Sequence, residues 1–148
     1  MGKIDLERSV GFLMSDVARL LRNAFDRRAR AMGLTRTQWW VVAHLYRNDG
    51  QTQTELAEEL DMEKAPLGRL LDRLEASGWV ERRPDPHDRR AKRVFKTDKI
   101  EPYITAMRQS AVEMYEVALA GLPSNKRDEL IDTLLLMKTN LLTNGDSQ

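Results

Sequence analysis

Residues 53–94 read QTELAEELDMEKAPLGRLLDRLEASGWVERRPDPHDRRAKRV, and the helix and strand patterns of this segment indicate the fold class. Thr52, directly before this segment, and Glu55 have the spacing of a capping box, in which each side chain accepts a hydrogen bond from the other residue's backbone N–H. This pattern predicts a short helix that ends near Leu60, followed by a turn over residues 61–63.

A second helix is predicted from about Lys64 to Ala76. Its leucines at positions 67, 70, 71 and 74 recur at helical spacing, and Pro66 fits only if it lies in the first turn. Ser77-Gly78 is a typical helix end. Two helices joined by so short a turn predict a helix-turn-helix, whose second helix can lie in the major groove of DNA.

The periodicity changes after Gly78. Residues 79–83 and 91–95 are predicted strands, and two prolines and two aspartates punctuate the loop over residues 84–88. We therefore expect a β-hairpin with a long tip. The predicted fold class is mainly α with a small β-hairpin wing, a winged helix-turn-helix with long dimerisation helices.

Four further helices are predicted around this segment. Gly33 ends the first of them, and a capping box of Thr35 and Gln38 precedes the second. In the third, the apolar stripe runs through Ile104 and Met107 and continues at either Met114 or Tyr115. Residues 144–148 are expected to be frayed. The predicted ranges of the four helices are 6–32, 39–48, 98–120 and 125–142.

The composition excludes several classes of function. The chain has 148 residues, about the size of one domain, and no cysteine, so disulfides, thiolate metal sites and cysteine redox switches are absent. Two histidines are too few for a His-rich metal site or a His-based catalytic centre, and no nucleophile–base pair or phosphate-binding glycine loop is present. We expect no enzyme, no metal and no cofactor.

Residues 1–13 include charged side chains, and no run of eighteen apolar residues occurs in the sequence. We therefore expect a cytoplasmic protein without a secretory signal or a membrane span.

Charge is distributed unevenly along the chain. The net charge is only +1, yet residues 82–96 hold seven basic and two acidic residues, while residues 101–148 carry a net charge of −3. A basic hairpin behind a helix-turn-helix indicates a surface for a polyanion such as double-stranded DNA. The alternative interpretation from charge alone is a solvated basic hairpin.

Candidate DNA contacts lie at the start of the second helix and at the hairpin tip, which can reach an adjacent minor groove. Asp88 and Arg90 are spaced to pair across the loop. Arg73 can instead pair with Asp72 or Glu75, and only one of Lys92 and Arg93 is expected to face DNA because strand residues alternate. The candidate DNA-binding residues are Thr54, Lys64, Ala65, Pro66, Arg69, Arg73, Asp88, Arg89, Arg90 and Lys92.

Four segments resemble the MarR-type winged-helix transcriptional regulators, most closely the SlyA branch. They are DVARLLRNAFDRRA (16–29), LTRTQWWVVAHL (34–45), the opening segment 53–94 and KTDKIEP (96–102). The wing signature stands as Asp88-Arg89-Arg90 followed by Thr97. Lys96 departs from the leucine that the family usually has before this threonine, and Ile100 stands near the place of a glycine.

The resemblance implies a homodimer that reads a roughly palindromic promoter site. It implies helical dimerisation regions at 1–33 and 98–148 around a DNA-binding domain at 34–97. The excess of apolar helix faces agrees with a homodimer, because one small wing domain cannot bury them all.

By the same resemblance, an aromatic carboxylate would bind in a cleft lined by Arg19, Arg22, Thr37 and Trp39, with core packing as the alternative for Trp39 or Trp40. Two other functions stay open, a constitutive DNA binder acting by competition and a winged-helix module that binds protein.

Overall fold

The computed structural model describes residues 5–145, which form six helices and three short strands. Short 3₁₀ turns at Leu6–Arg8 and Asp98–Ile100 precede two of the helices. The elements are α1 (Val10–Ala31), α2 (Arg36–Arg47), β1 (Gln51–Thr52), α3 (Gln53–Glu59), α4 (Lys64–Ala76), β2 (Val80–Pro84), β3 (Lys92–Lys96), α5 (Glu101–Ala118) and α6 (Ser124–Gly145). The predicted fold class, mainly helical with a small wing, is confirmed.

Two capping boxes fix the starts of α2 and α3, as the sequence predicts. The Thr35 hydroxyl accepts the backbone N–H of Gln38 at 3.2 Å, and the Gln38 side chain accepts that of Thr35 at 3.0 Å. The same reciprocal pair joins Thr52 and Glu55, at 3.1 and 2.8 Å. Because the helix begins directly after its cap, α2 starts at Arg36, and the predicted start at Trp39 was wrong.

The leucine face of α4 forms the main core of the winged helix. Leu67, Leu70, Leu71 and Leu74 are all buried, and they pack with residues of α2, α3, β2 and β3. Pro66 occupies the first turn of α4, where its missing N–H costs no helix hydrogen bond. The polar face of α4 is thereby held toward solvent.

The wing is part of a three-stranded antiparallel sheet with the order β1-β3-β2. In the hairpin, Val80 lies opposite Lys96 and Pro84 lies opposite Lys92, while Gln51 of β1 pairs with Val94. Gly50 directly precedes β1 and has a φ of 77°, and a Cβ at this position would lie 2.8 Å from the Phe95 ring. The glycine therefore lets β1 approach the hairpin closely.

Three further helix boundaries differ from the sequence prediction. Extended backbone at Ser9 separates the 3₁₀ turn from α1, where one continuous helix was expected. At α5 the helix begins at Glu101 rather than Asp98, so that Pro102 lies in the first turn. Asn144 and Gly145 belong to α6 instead of a frayed tail, and the rest of the predicted tail lies outside the described residues.

The chain divides into two compact units, Met1–Ala111 and Val112–Gln148. In the first, Ile100, which stands near the place of the family's glycine, is fully buried with Val42 and Ile104. In the second, Met114 is buried and Tyr115 is 45% exposed, which decides between the two candidates for the apolar stripe. No helix in the described part of the chain is long and apolar enough to cross a membrane.

Candidate nucleic-acid interface

The exposed face of α4 presents the predicted DNA-contacting side chains. Lys64, Ala65, Arg69 and Arg73 are exposed, and Pro66 is half-buried in the first turn. Thr54 is exposed near the start of α3. The polar face of α4 therefore carries three cations on a helix anchored by its leucines.

Ion pairing divides the basic residues between Lys64 and Lys96 into two groups. In the first group, an acidic side chain holds each guanidinium or ammonium: Arg82 with Asp72 and Glu75, Arg83 with Glu81, Arg93 with Asp85, and Lys96 with Glu101. Within residues 5–145, no ion pair engages any of the second group, whose side chains are all exposed. The second group is Lys64, Arg69, Arg73, Arg89, Arg90 and Lys92.

Arg82 takes the acidic partners that the sequence offered to Arg73. Its Nη2 donates to Asp72 Oδ1 at 2.5 Å and to Glu75 Oε1 at 3.2 Å, and its backbone N–H donates to Glu75 Oε2 at 2.7 Å. The hydrogen bonds from the Arg82 side chain and backbone lower the pKa of Glu75. Burial alone would lower the pKa of Arg82, but its bonds to Asp72 and Glu75 outweigh that effect and raise the pKa. Arg73 is left without an ion pair in the described chain.

Asp85 shapes the turn at the wing tip. Its side chain is only 6% exposed. Oδ1 accepts hydrogen bonds from the backbone N–H groups of His87 at 2.7 Å and Asp88 at 3.1 Å. Oδ2 accepts a hydrogen bond from Nε of Arg93 at 2.8 Å. The bond from His87 is the largest cause of a lowered Asp85 pKa, followed by the bond from Asp88 and the charge of Arg93, while burial opposes them. Sequence reasoning missed this role, although the Asp-Pro-x-Asp pattern is a signal for such a side-chain turn.

Two details of the tip differ from expectation. Asp88 Oδ1 accepts the backbone N–H of Arg90 at 2.9 Å, so the predicted pairing of Asp88 with the Arg90 guanidinium was wrong. Arg93 is committed to Asp85 and to the carbonyl oxygen of Gly50, which accepts Nη1 at 2.8 Å. Of the alternating residues Lys92 and Arg93, Lys92 is therefore the exposed and unpaired cation.

Thr97 closes the base of the wing. Its hydroxyl donates to the carbonyl oxygens of Gly78 at 2.5 Å and Trp79 at 3.2 Å, so it ties the end of β3 to the turn before β2. Lys96, which replaces the usual leucine, bonds the Glu101 carboxylate at 3.0 Å, and this bond is the main cause of its raised pKa. Lys96 thus forms an ion pair between the end of β3 and the start of α5.

A cavity of about 390 Å³ lies beside α2, within the first unit. Arg22 and Thr37 line it, but Arg19 and Trp39 do not. Arg19 is exposed and pairs with Asp16 at 3.2 Å, and Trp39 stacks on Phe25 with ring centroids 6.0 Å apart. The cavity is lined by Arg22, Arg36, Thr37, Trp40, His44, Glu59, Leu60, Asp61 and Met62.

The aromatic wall of this cavity is Trp40 together with His44. Their rings lie 5.5 Å apart, and Nδ1 of His44 lies 2.8 Å from the carbonyl oxygen of Trp40. Arg36 pairs with the buried Asp26 at 3.3 Å, so Arg22 is the cavity arginine without an acidic partner in the described chain. Among the described residues, no group of His, Cys, Asp or Glu side chains could hold a metal ion.

Comparisons with known proteins agree with this architecture. A family model described as the MarR family matches residues 32–91. The crystal structure of transcriptional regulator PA3341 is 34% identical, covers 91% of this chain and 99% of its own, and has a TM-score of 0.79. A MarR transcriptional regulator from Methanosarcina mazei Go1 is 28% identical, with 90% and 96% coverage and a TM-score of 0.80.

A third similar structure contains DNA. It is a MarR family transcriptional regulator from Listeria monocytogenes complexed with a 26mer DNA, 20% identical, with 93% of this chain and 91% of that chain covered. Its TM-score is 0.79, which shows that the two chains share a fold.

Proposed function

Because this chain belongs to the MarR family of winged-helix transcriptional regulators, we propose that it binds palindromic promoter DNA as a homodimer. The observation that carries the proposal is the division of the basic residues by ion pairing. Cations that serve the fold are neutralised by nearby carboxylates, whereas those on α4 and the wing tip remain exposed. Unpaired cations on one surface are what a phosphate backbone attracts.

In the proposed complex, the start of α4 enters the major groove and the tip over residues 88–92 reaches the adjacent minor groove. Arg69 and Lys64 would meet base edges or phosphates, and Ala65 and Pro66 would let the helix approach closely or touch a thymine methyl. Arg89 and Arg90 would gain from the concentrated negative potential of a narrow minor groove. Thr54, near the start of α3, would contact a phosphate.

The homodimer is supported by apolar side chains that the single chain leaves in water. Val10, Val17 and Leu20 of α1 are 51–60% exposed. The whole of α6 contains no buried residue, and Ile131, Leu135 and Leu141 are among its exposed apolar side chains. Soluble chains rarely expose so much apolar surface, and we propose a second copy as the partner that covers it. On this basis residues 1–33 and 98–148 are the dimerisation region and residues 34–97 the DNA-binding domain.

An aromatic carboxylate is the effector that the cavity beside α2 fits. Arg22 would bind the carboxylate, Thr37 would donate a hydrogen bond, and Trp40 would stack on the ring, in place of the predicted Arg19 and Trp39. The ligand regulates only if it favours a spacing of the two recognition helices that does not fit DNA. A constitutive binder that acts by competition is the alternative. Membership of the SlyA branch and a cytoplasmic location complete the proposal.

Selection of bound duplexes from a random pool tests the DNA-binding proposal. We expect an inverted repeat with half-site centres about ten base pairs apart, one helical turn. Arg90→Ala should weaken binding of that site by about 1–3 kcal/mol while the fold stays intact, because the exposed tip buries little. A folded wild-type protein that enriches no sequence, or an Arg90→Ala variant of unchanged affinity, would contradict the assignment.

Sedimentation tests the homodimer. Leu134, 42% exposed on α6, should lie in the interface, and Leu134→Asp should dissociate or unfold the dimer because an unpaired charge in an apolar interface costs several kcal/mol. Asn140→Asp adds the same charge at an exposed polar position of α6 and should leave the dimer intact. A wild-type monomer at micromolar concentration would refute the architecture.

Titration with salicylate-like acids tests the effector, with tryptophan fluorescence and operator affinity followed together. Arg22→Ala should remove the response, whereas Arg19→Ala, on the same helix but outside the cavity, should retain it. A coupling of about 1–3 kcal/mol would change operator affinity about five- to 150-fold. Acids that bind without changing operator affinity, or that do not bind at millimolar concentration, would favour the constitutive alternative.

A further inference from the structure

Arg82 joins three elements of the winged helix through one side chain. It belongs to β2, two residues before the end of that strand. Its Nη2 bonds Asp72 and Glu75 of α4, and its Nη1 lies 3.4 Å from Oε1 of Gln53, the first residue of α3. The backbone N–H of Arg82 adds a second bond to Glu75. A single guanidinium thus links the wing directly to α4 and to the start of α3.

This arrangement is a poor device for stability alone. The Arg82 side chain is only 16% exposed, and its Nε is buried without a hydrogen-bond partner. Asp72 and Glu75 are 65% and 40% exposed, so water screens much of their attraction to the guanidinium. An apolar side chain at this position would bury its surface without orphaning a donor, but it would not fix a direction between the two elements.

The other ion pairs of the wing do not make this connection. Asp85 and Arg93 shape the turn and tie β3 to the carbonyl oxygen of Gly50, away from α4. Arg83 pairs with Glu81 on its own strand and lies over the Phe95 ring. Among the described residues, the two ion pairs of Arg82, with Asp72 and Glu75, are the ones that link the wing to α4.

We propose that Arg82 is a positioning residue that fixes the angle between the wing and α4. With that angle fixed, Arg90 at the wing tip reaches the minor groove when α4 lies in the major groove. The inference rests on the proposed function, because it assigns these two roles to α4 and to the tip. This clamp, Arg82 with Asp72 and Glu75, lies at the middle of β2, and the tip extends beyond it. A rotation of the hairpin about the clamp therefore displaces the tip more than it displaces Arg82. Arg82 itself touches no DNA in this scheme, and it acts through Arg90.

A double-mutant cycle on the selected operator tests the clamp. In the wild-type background, Arg90→Ala should weaken binding about five- to 150-fold for each half-site, the range for one specific arginine contact. In the Arg82→Gln background, the tip is no longer held in place, so Arg90→Ala should cost less than about twofold. The matched control is Arg83→Gln, an adjacent exposed position whose ion pair does not reach α4. In that background Arg90→Ala should keep its full cost.

A second variant protects the test against misfolding. The pair Asp72→Asn and Glu75→Gln removes both charges from α4 but keeps Arg82 and an amide oxygen for its backbone N–H. The cost of Arg90→Ala should fall in this background as well, and any direct effect of the lost charges cancels within the cycle. Circular dichroism and thermal unfolding identify the backgrounds that remain folded.

The outcomes separate the clamp from the function. A full cost of Arg90→Ala in both clamp backgrounds would refute the positioning role while DNA binding stands, since wing and helix would then act independently. A reduced cost in all backgrounds, Arg83→Gln included, would also refute it, because the effect would not depend on contact with α4. Failure of the wild-type protein to bind any duplex would instead refute the proposed function.

Discussion

The salt dependence of operator binding should distinguish the unpaired cations from the paired ones. Lys92 and Lys96 are lysines at the two ends of β3; Lys92 has no ion pair in the described chain, and Lys96 is held by Glu101 at 3.0 Å. Each phosphate that a protein neutralises contributes about 0.9 to the slope of log K against log salt. A dimer presents Lys92 twice, so Lys92→Ala should reduce the slope by about 1.8. Between 50 and 200 mM salt, the variant should then lose about tenfold less affinity than the wild type.

The assay is fluorescence anisotropy of a labelled operator at several salt concentrations. Lys96→Ala is the matched control, because it removes the same residue type from the same strand but a charge already neutralised inside the protein. Its slope should equal that of the wild type. If Lys96→Ala flattens the slope as much as Lys92→Ala does, ion pairing in the free protein does not identify the DNA-contacting cations. An unchanged slope for Lys92→Ala would remove the wing tip from the interface.

Three further predictions concern the scaffold that holds the interface. Gly50→Ala should cost more than Gly33→Ala in urea unfolding, since both glycines have positive φ but only at position 50 would the new Cβ meet a side chain, the Phe95 ring; equal costs would show that backbone strain alone matters. Thr52→Ala removes the hydroxyl that caps α3 and should lower the free energy of unfolding by about 1 kcal/mol; no loss would mean that the cap is replaced by water. The pKa of Asp85 is lowered in the folded protein, so its stabilising contribution is present above the ordinary aspartate pKa and is lost as the pH falls through the folded value. Asp85→Asn should flatten that acid limb of the stability profile, and an unchanged limb would assign it to other carboxylates.

The helices of the winged-helix segment could be predicted from the sequence because their signals are local. A capping box, a proline in the first turn and a leucine spacing each involve residues within one or two helical turns, so the contacts form wherever the segment lies. These local signals did not predict where α1 and α5 begin, because a short 3₁₀ turn precedes each helix, ending at Arg8 in one case and beginning at Asp98 in the other. The family resemblance rested on four segments, the longest of which, residues 53–94, includes these helices and the wing.

The choice of partner for each charged side chain could not be predicted from the sequence. Arg73 is nearer to Glu75 in the sequence than Arg82 is, but the hairpin returns along α4 and brings Arg82 to both carboxylates. In the same way, Trp39 and Trp40 are adjacent on one helix, and only packing against Phe25 directs the first inward while Trp40 lines the cavity.

The sequence is sufficient to predict a helix-turn-helix with a basic wing, since those elements follow from local spacing and from the charge of one hairpin. Which cations are left without an acidic partner depends instead on how the elements pack in the folded chain. Arg93 is neutralised by Asp85 and bonded to the carbonyl of Gly50, 43 positions away, whereas its neighbour Lys92 stays free of ion pairs within the described chain. An ion pair requires side chains from separate elements to come within hydrogen-bond reach, and that distance is set by how the elements pack.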